Sequence, residues 1–288
     1  MSANVRETRT LALGDARFVW GARTYLMGIV NATPDSFSGD GRPASADAIA
    51  HGLAQSAAGA DILDIGAIST RPGHEPVDGD EELRRLIPVV RGIRERLPAA
   101  VISADTFDPG VFRAAHRAGA DILNSVWGLD AALLEAVVEC DVPVVVMHNS
   151  RTALYERGVV DEVLAYLEES AARAVRGGLR GERVILDPGI GFGKTPDHNL
   201  AILAALPRIV ALGFPTLLGT SRKSTLGKLT GKPVEQRTFG TAATVALAVA
   251  AGIDVVRVHD VGEMRDVVAV ADAIARAWRP SNWGSQEG

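Results

Sequence analysis

The chain has 288 residues, 47% of them hydrophobic and 23% charged, an ordinary globular composition that excludes collagen, coiled coil and a disordered chain. Its 30 Lys and Arg against 35 Asp and Glu give a formal charge of -5, which argues against a surface built to collect nucleic-acid phosphate. Cys140 is the single cysteine, so an intrachain disulfide, a thiolate metal site and a CxxC redox pair are excluded, and a reducing, cytoplasmic setting is expected.

The first ten residues, MSANVRETRT, are polar with no apolar core behind them. The longest apolar stretch, TAATVALAVAAGIDVV, is Ala-rich and interrupted by Gly252 and Asp254, so neither export nor membrane insertion is expected. ARFVWGARTYLM reads as a β-hairpin around Gly21 that plugs the bottom of a barrel. Eight Val/Ile/Leu-rich runs follow in chain order: TYLMGIVN, ADILDIGA, AVISADT, DILNSVW, PVVVMHN, VILDPGI, PTLLGTS and VVRVHDV. Most are continuously apolar, as parallel strands covered by helices are. Between them lie amphipathic stretches, among them Ala44 to Ala58, Glu81 to Leu97, Asp161 to Arg176 and Val261 to Ala277. The alternation predicts an α/β protein, a (β/α)8 barrel with an N-terminal β-hairpin. One domain is expected from about Ala16 to Trp278, between tails at 1–15 and 279–288. A doubly wound open sheet also alternates β and α, but the strand count and the lack of a dinucleotide fingerprint weigh against it.

Each run ends on polar residues: Asn31, Asp64 with Gly66, Asp105, Asn124, His148, Asp187, Ser221 with Lys223, and Arg257 with His259. Taken singly, an Asp or Asn after a strand is most often a turn former or helix cap. In a closed parallel barrel all eight ends converge on one mouth, where such enzymes carry their chemistry. Asp61, Asp121 and Asp254 precede strands, so they belong to the opposite end as turn residues. Asp105, Asn124 and Asp187 sit directly behind apolar residues, where an unpaired carboxylate or amide is costly. A flat heterocycle with adjacent N–H and NH2 groups supplies the donors that they need. Across the mouth, Arg257, His259, Arg71, Lys223 and backbone amides near Gly39 and Gly41 form a candidate oxyanion pocket.

DPGIGFGKT fails the Walker pattern because Pro188 stands where Gly is needed, and fails GxGxxG because Lys194 does. It reads instead as a flexible loop that lets Phe192 cover a flat ligand.

The ordered set GIVNATPDSFS, GADILDIG with STRPG, ISADTF, ADILN, VVVMH, ILDPGIGFGKTPDHN, LLGTSRKS and RVHD runs from about Leu26 to Asp260. It resembles the dihydropteroate synthases. The resemblance implies a TIM barrel that joins 6-hydroxymethyl-7,8-dihydropterin pyrophosphate to 4-aminobenzoate, releasing pyrophosphate and 7,8-dihydropteroate. It further implies that Asp105, Asn124, Asp187 and Lys223 hold the pterin ring, and that Asn31 binds pyrophosphate through Mg²⁺, joined by Arg257 and His259. Thr70, Arg71, Pro72, Phe192 and Ser221 frame the aminobenzoate, and the family implies a homodimer. The chain departs from the family pattern at Gly39 with Asp40, Ile68, Ser125 with Trp127, and Asn149. Two other functions share parts of the pattern. A methyltetrahydrofolate-type methyl-transfer module needs the ring contacts but not STRPG, SRK or the Arg257/His259 group, and a non-catalytic paralogue binds pterin without joining it to an acceptor.

Overall fold

The computed structural model describes residues 9–32, 44–68, 78–280 and 283. A two-stranded hairpin opens the described chain, β1 (Thr10–Leu13) against β2 (Ala16–Val19), antiparallel with Leu13 opposite Ala16. The hairpin therefore turns at Gly14 and not, as expected, around Gly21. It also begins upstream of the expected Ala16, because Leu11 is needed in the core. Gly21 instead makes the bend that carries the chain from β2 into the barrel.

Eight parallel strands follow: β3 (Tyr25–Asn31), β4 (Ile62–Gly66), β5 (Val101–Asp105), β6 (Ile122–Ser125), β7 (Val144–Met147), β8 (Val184–Asp187), β9 (Leu217–Leu218) and β10 (Val255–Val258). Their order is β8-β7-β6-β5-β4-β3-β10-β9. A bridge between Leu186 and Thr216, with the Leu186 N–H donating to the Pro215 carbonyl at 2.8 Å, joins β8 to β9 and closes the ring. All eight expected strand runs are strands of this (β/α)8 barrel.

Helices fill the crossovers, as parallel neighbours require. They are α1 (Ala44–Ala58), α2 (Gly79–Arg96), α3 (Pro109–Ala118), α4 (Ala131–Cys140), α5 (Val159–Arg176), α6 (Pro196–Ala204), α7 (Leu206–Val210), α8 (Ser224–Thr230), α9 (Thr238–Ala251) and α10 (Val261–Ala275). Three start on an Asp whose carboxylate accepts backbone N–H groups: Asp78, Asp108 and Asp130. Gly119 and Gly252 end α3 and α9 in the left-handed conformation that a side chain would resist.

Two apolar layers hold the assembly. The outer one packs helices onto the barrel. The inner one fills the barrel bottom with Tyr25, Met27, Ile62, Val101, Ile122, Val145, Ile185, Leu217 and Val255, sealed from below by Leu11, Phe18 and Trp20 of the hairpin region. Because side chains alternate along a strand, the inner layer fixes which residues face inward higher up. Two positions on stand Asp64, Ser103, Asn124, Met147, Asp187, Gly219 and Arg257. Beyond them come Asn31, Gly66, Asp105, Ser221 and His259.

The acidic residues that precede strands are structural, as expected. Asp61 accepts from Leu26 N and pairs with Arg23, and Asp121 accepts from Ile102 N and pairs with Arg94. Asp254, fully buried, accepts from Gly21 N, Thr216 N and Thr216 Oγ1, all at 2.9–3.0 Å. One carboxylate thus ties the hairpin exit to the β9 and β10 starts. Asp254→Ala should lower unfolding free energy by about 3 kcal/mol, the scale of stranding buried donors. Urea denaturation measures it, and a loss below about 1 kcal/mol would mean that water takes over these bonds.

Candidate active site

The polar layer sits directly on the apolar floor, and its centre is Arg257. Its Nε donates to Asp64 Oδ2 at 2.6 Å and its Nη2 to Asp105 Oδ2 at 3.0 Å. Asp64 is fully buried and also accepts from Ser103 Oγ at 2.6 Å and Asn124 Nδ2 at 3.1 Å. Five residues from four strands therefore share one network, possible because each stands at an inward position of its strand. Such a network is stable only when its donors and acceptors are matched.

The expected split of the mouth into a ring side holding Asp105 and an anion side holding Arg257 is corrected here. The β10 register aims Arg257 across the barrel into the carboxylates, so one guanidinium spans both halves. Burial first, and the Asp64 charge second, push the Asp105 carboxyl up to about 7, while Arg257 pulls it down. Asp187, buried at the end of β8, accepts from Gly189 N at 2.7 Å; burial lifts it to about 6 against that bond and the nearby Lys223 and Lys194 charges. Either carboxyl can accept a hydrogen bond or hold a proton close to neutral pH.

The loop from Gly189 to Lys194 is a clamped structure, not the flexible cover expected from its glycines. A Cβ on Gly189 would stand 1.9 Å from the His148 carbonyl oxygen, and one on Gly193 would stand 2.1 Å from that of Ser150. These glycines permit close approach to the β7 loop. Lys194 Nζ then donates to the His148 and Phe192 carbonyls and sits 2.9 Å from His148 Nδ1. Burial lowers Lys194 to about 7, and burial with the Lys194 charge lowers His148 to about 4, so the imidazole is neutral. Tyr155 OH donates to the Gly193 carbonyl at 2.7 Å. The clamped loop holds Phe192 with Lys223 Nζ 4.1 Å from its ring centroid.

Ser221 and His259 are brought together at the ends of β9 and β10, with Oγ 2.9 Å from Nδ1. Asn31 ends β3, half-buried. Of the expected site residues, Asn31, Asp105, Asn124, Asp187, Phe192, Ser221, Lys223, Arg257 and His259 all stand at this mouth. Thr70, Arg71 and Pro72, with Gly39 and Gly41, lie outside the described residues. Ser103 is the residue that sequence reasoning missed, and Asp64, expected at the mouth as a strand end, was given no role there; period-two counting up from Ile62 and Val101 finds both facing inward.

The model of the pterin-binding enzyme family matches residues 27–259. The dihydropteroate synthase of Clostridium beijerinckii is 41% identical over 270 residues, spanning 92% of this chain and 100% of its own. The chain belongs to the dihydropteroate synthase family. The Bacillus subtilis member is 41% identical over 273 residues, 94% of this chain and 95% of its own. Among solved structures, the Xanthomonas albilineans dihydropteroate synthase with 4-aminobenzoic acid has a TM-score of 0.89 at 42% identity, covering 95% of this chain and 100% of that one. The same enzyme in complex with 7,8-dihydropteroate has a TM-score of 0.86 at 41% identity, covering 94% and 100%.

Measured against the family pattern, the departing residues Ser125, Trp127 and Asn149 serve the loops after β6 and β7. Ser125 Oγ donates to the Gly128 carbonyl, and Asn149 Nδ2 donates to the Val126 carbonyl at 3.0 Å, tying the β6 and β7 ends together. Trp127 is half exposed on the rim with the Arg151 guanidinium 5.9 Å from its ring centroid. None of these three replaces a member of the Arg257 network.

The network makes a signed prediction. Asp64→Asn removes a negative charge beside Asp105 and leaves Arg257 to Asp105 alone, so Asp105 should titrate below about 7. Carboxyl ¹³C resonances followed against pH measure this, and an unmoved Asp105 midpoint would show that burial alone sets its acidity.

Proposed function

We propose that this mouth carries out dihydropteroate synthesis. 6-Hydroxymethyl-7,8-dihydropterin pyrophosphate is joined to 4-aminobenzoate, and pyrophosphate and 7,8-dihydropteroate leave. The observation that carries the assignment is the convergence of Asp64, Asp105, Asn124, Asp187 and Arg257 above one apolar floor. In the reaction the amine lone pair forms a bond to the pterin methylene while the carbon–oxygen bond breaks, and that electron pair departs with the diphosphate. The amine then gives up a proton. Negative charge grows at the leaving group and positive charge at the methylene, so fixed cations at one end and electron-rich acceptors at the other favour the transition state.

Asp187 accepts the ring N–H and amino group in fork geometry. Asp105, titrating near 7, can hold a proton at Oδ for a ring nitrogen or accept from an N–H, with Asn124 beside it. Lys223 and Phe192 form a flat cationic wall for the ring system. Arg257 keeps N–H donors beyond the two spent on carboxylates, and with His259 it faces the diphosphate. In the family pattern Thr70, Arg71, Pro72 and Phe192 frame the aminobenzoate, while the Ser221 hydroxyl is taken up by His259.

The residues present fit Mg²⁺ as an ion that arrives with substrate. Among the described residues no group of three His, Cys, Asp or Glu side chains could hold a metal, while Asn31 offers an amide oxygen at the mouth. A hard cation shared with phosphate oxygens needs few protein ligands. Bound there, it would draw charge from the leaving diphosphate.

Two coarser features belong to the same reading. No helix among the described residues is long and apolar enough to cross a membrane, and with the lone thiol of Cys140 this supports a cytoplasmic enzyme. Phe239 and Leu247 on α9 and Val270 and Ile274 on α10 are exposed at 62–90%, and the two helices pack together. That apolar face supports a homodimer. Sedimentation velocity should give a dimer, with Phe239→Lys plus Ile274→Lys shifting it to monomer; a wild-type monomer at micromolar concentration would reject the dimer.

The reading is tested by pyrophosphate release with and without 4-aminobenzoate and Mg²⁺. Release should require all three components. Arg257→Ala should weaken the diphosphate-bearing pterin at least about tenfold more than the free pterin, the scale of one charged contact. Pterin binding with no release on adding aminobenzoate would make the chain a binding paralogue, and equal losses for both pterins would make Arg257 purely structural.

A further inference from the structure

Ser221 is expected from the family pattern to touch the aminobenzoate, yet its hydroxyl is already engaged. It is buried, and its Oγ accepts the backbone N–H of His259 at 3.1 Å while standing 2.9 Å from Nδ1 of the same residue. A hydroxyl has one proton to give and two lone pairs. With one lone pair taken by the His259 N–H, the proton must find an acceptor, and among the described residues the only one at hydrogen-bond distance is His259 Nδ1. Were Nδ1 itself protonated, Oγ would accept twice and its own proton would be stranded in a buried site, a costly arrangement. The same histidine is braced on its far side, where Gln55 Nε2 of α1 donates to the His259 carbonyl at 2.7 Å. Backbone N–H, backbone carbonyl and ring are therefore all held.

We infer that Ser221 is a positioning residue that fixes His259 in the Nε2–H tautomer, so that a neutral imidazole supplies an N–H donor to the departing diphosphate. The proton count determines the tautomer, since the hydrogen bond made by one ring nitrogen decides the state of the other. The consequence for catalysis rests on the synthase reading; the tautomer does not. It gives the β9 and β10 ends a division of labour, in which the serine orients and the histidine touches substrate.

Long-range ¹H–¹⁵N correlation spectra of the full-length chain at neutral pH read the tautomer directly. Wild type should show a pyridine-like Nδ1 and a pyrrole-like Nε2 for His259. Ser221→Ala should give mixed tautomers, and Ser221→Thr, which keeps the hydroxyl, should restore the wild-type pattern. In turnover, Ser221→Ala should lower kcat about ten- to hundredfold, the range lost when the partner that orients a functional imidazole is removed, with the KM for aminobenzoate unchanged. A protonated Nδ1 in wild type, or spectra identical in wild type and Ser221→Ala, would overturn the inference. So would a raised aminobenzoate KM with kcat retained, which returns Ser221 to the acceptor site. Absence of pyrophosphate release in wild type would defeat the synthase reading while leaving the tautomer result to stand.

Discussion

A half-buried guanidinium shared by two carboxylates sets the terms for everything else in this barrel. Arg257 reaches Asp64 and Asp105 inside the ring of strands, on a floor of apolar side chains. Charges placed there are tolerable only while each has a partner in good geometry. The surrounding Ser103 and Asn124 complete the Asp64 shell. The hairpin below has the same purpose seen from the other end: by sealing the bottom with Leu11, Phe18 and Trp20 it makes the polar layer one-sided, open only toward the mouth.

This arrangement explains why acids of raised pKa gather here. Burial works against the charged forms of Asp105 and Asp187, and the cations Arg257, Lys223 and Lys194 partly offset it. The result is a pair of carboxyl groups that titrate near 6 and 7, close enough to neutrality to serve a heterocycle whose nitrogens alternate between donor and acceptor. A pre-organised set of this kind does little reorganising when charge develops, which is the main source of electrostatic catalysis. Rigidity extends to the rim. The Phe192 wall stands on a loop pinned by Lys194, His148 and Tyr155, so the flat surface offered to a ligand is built before the ligand arrives.

The departures from the family pattern fall in the same frame. Ser125 bonds within its own loop, Asn149 ties the β7 end to the β6 end, and Trp127 lies out on the rim. Catalytic barrels tolerate such change because the strands fix the chemistry while the βα loops vary around it.

The eight strands, the four longest amphipathic helices, and the residues at the strand ends were legible in the amino-acid sequence, because apolar runs and helical periodicity are local signals. Local signals also separated Asp61, Asp121 and Asp254, which precede strands, from Asp105 and Asp187, which follow them. The hairpin was misplaced toward Gly21 because Gly14 and Gly21 both read as turns, and only the burial of Leu11 against the barrel floor decides between them. The Asp64 network, the reach of Arg257 across the mouth, the Ser221–His259 bond and the clamping of the glycine loop came only with the tertiary structure. Each joins residues dozens to hundreds of positions apart, and their meeting depends on strand register and barrel closure. Those are properties of the whole ring, set by packing against a common floor, and no short stretch of chain carries them alone.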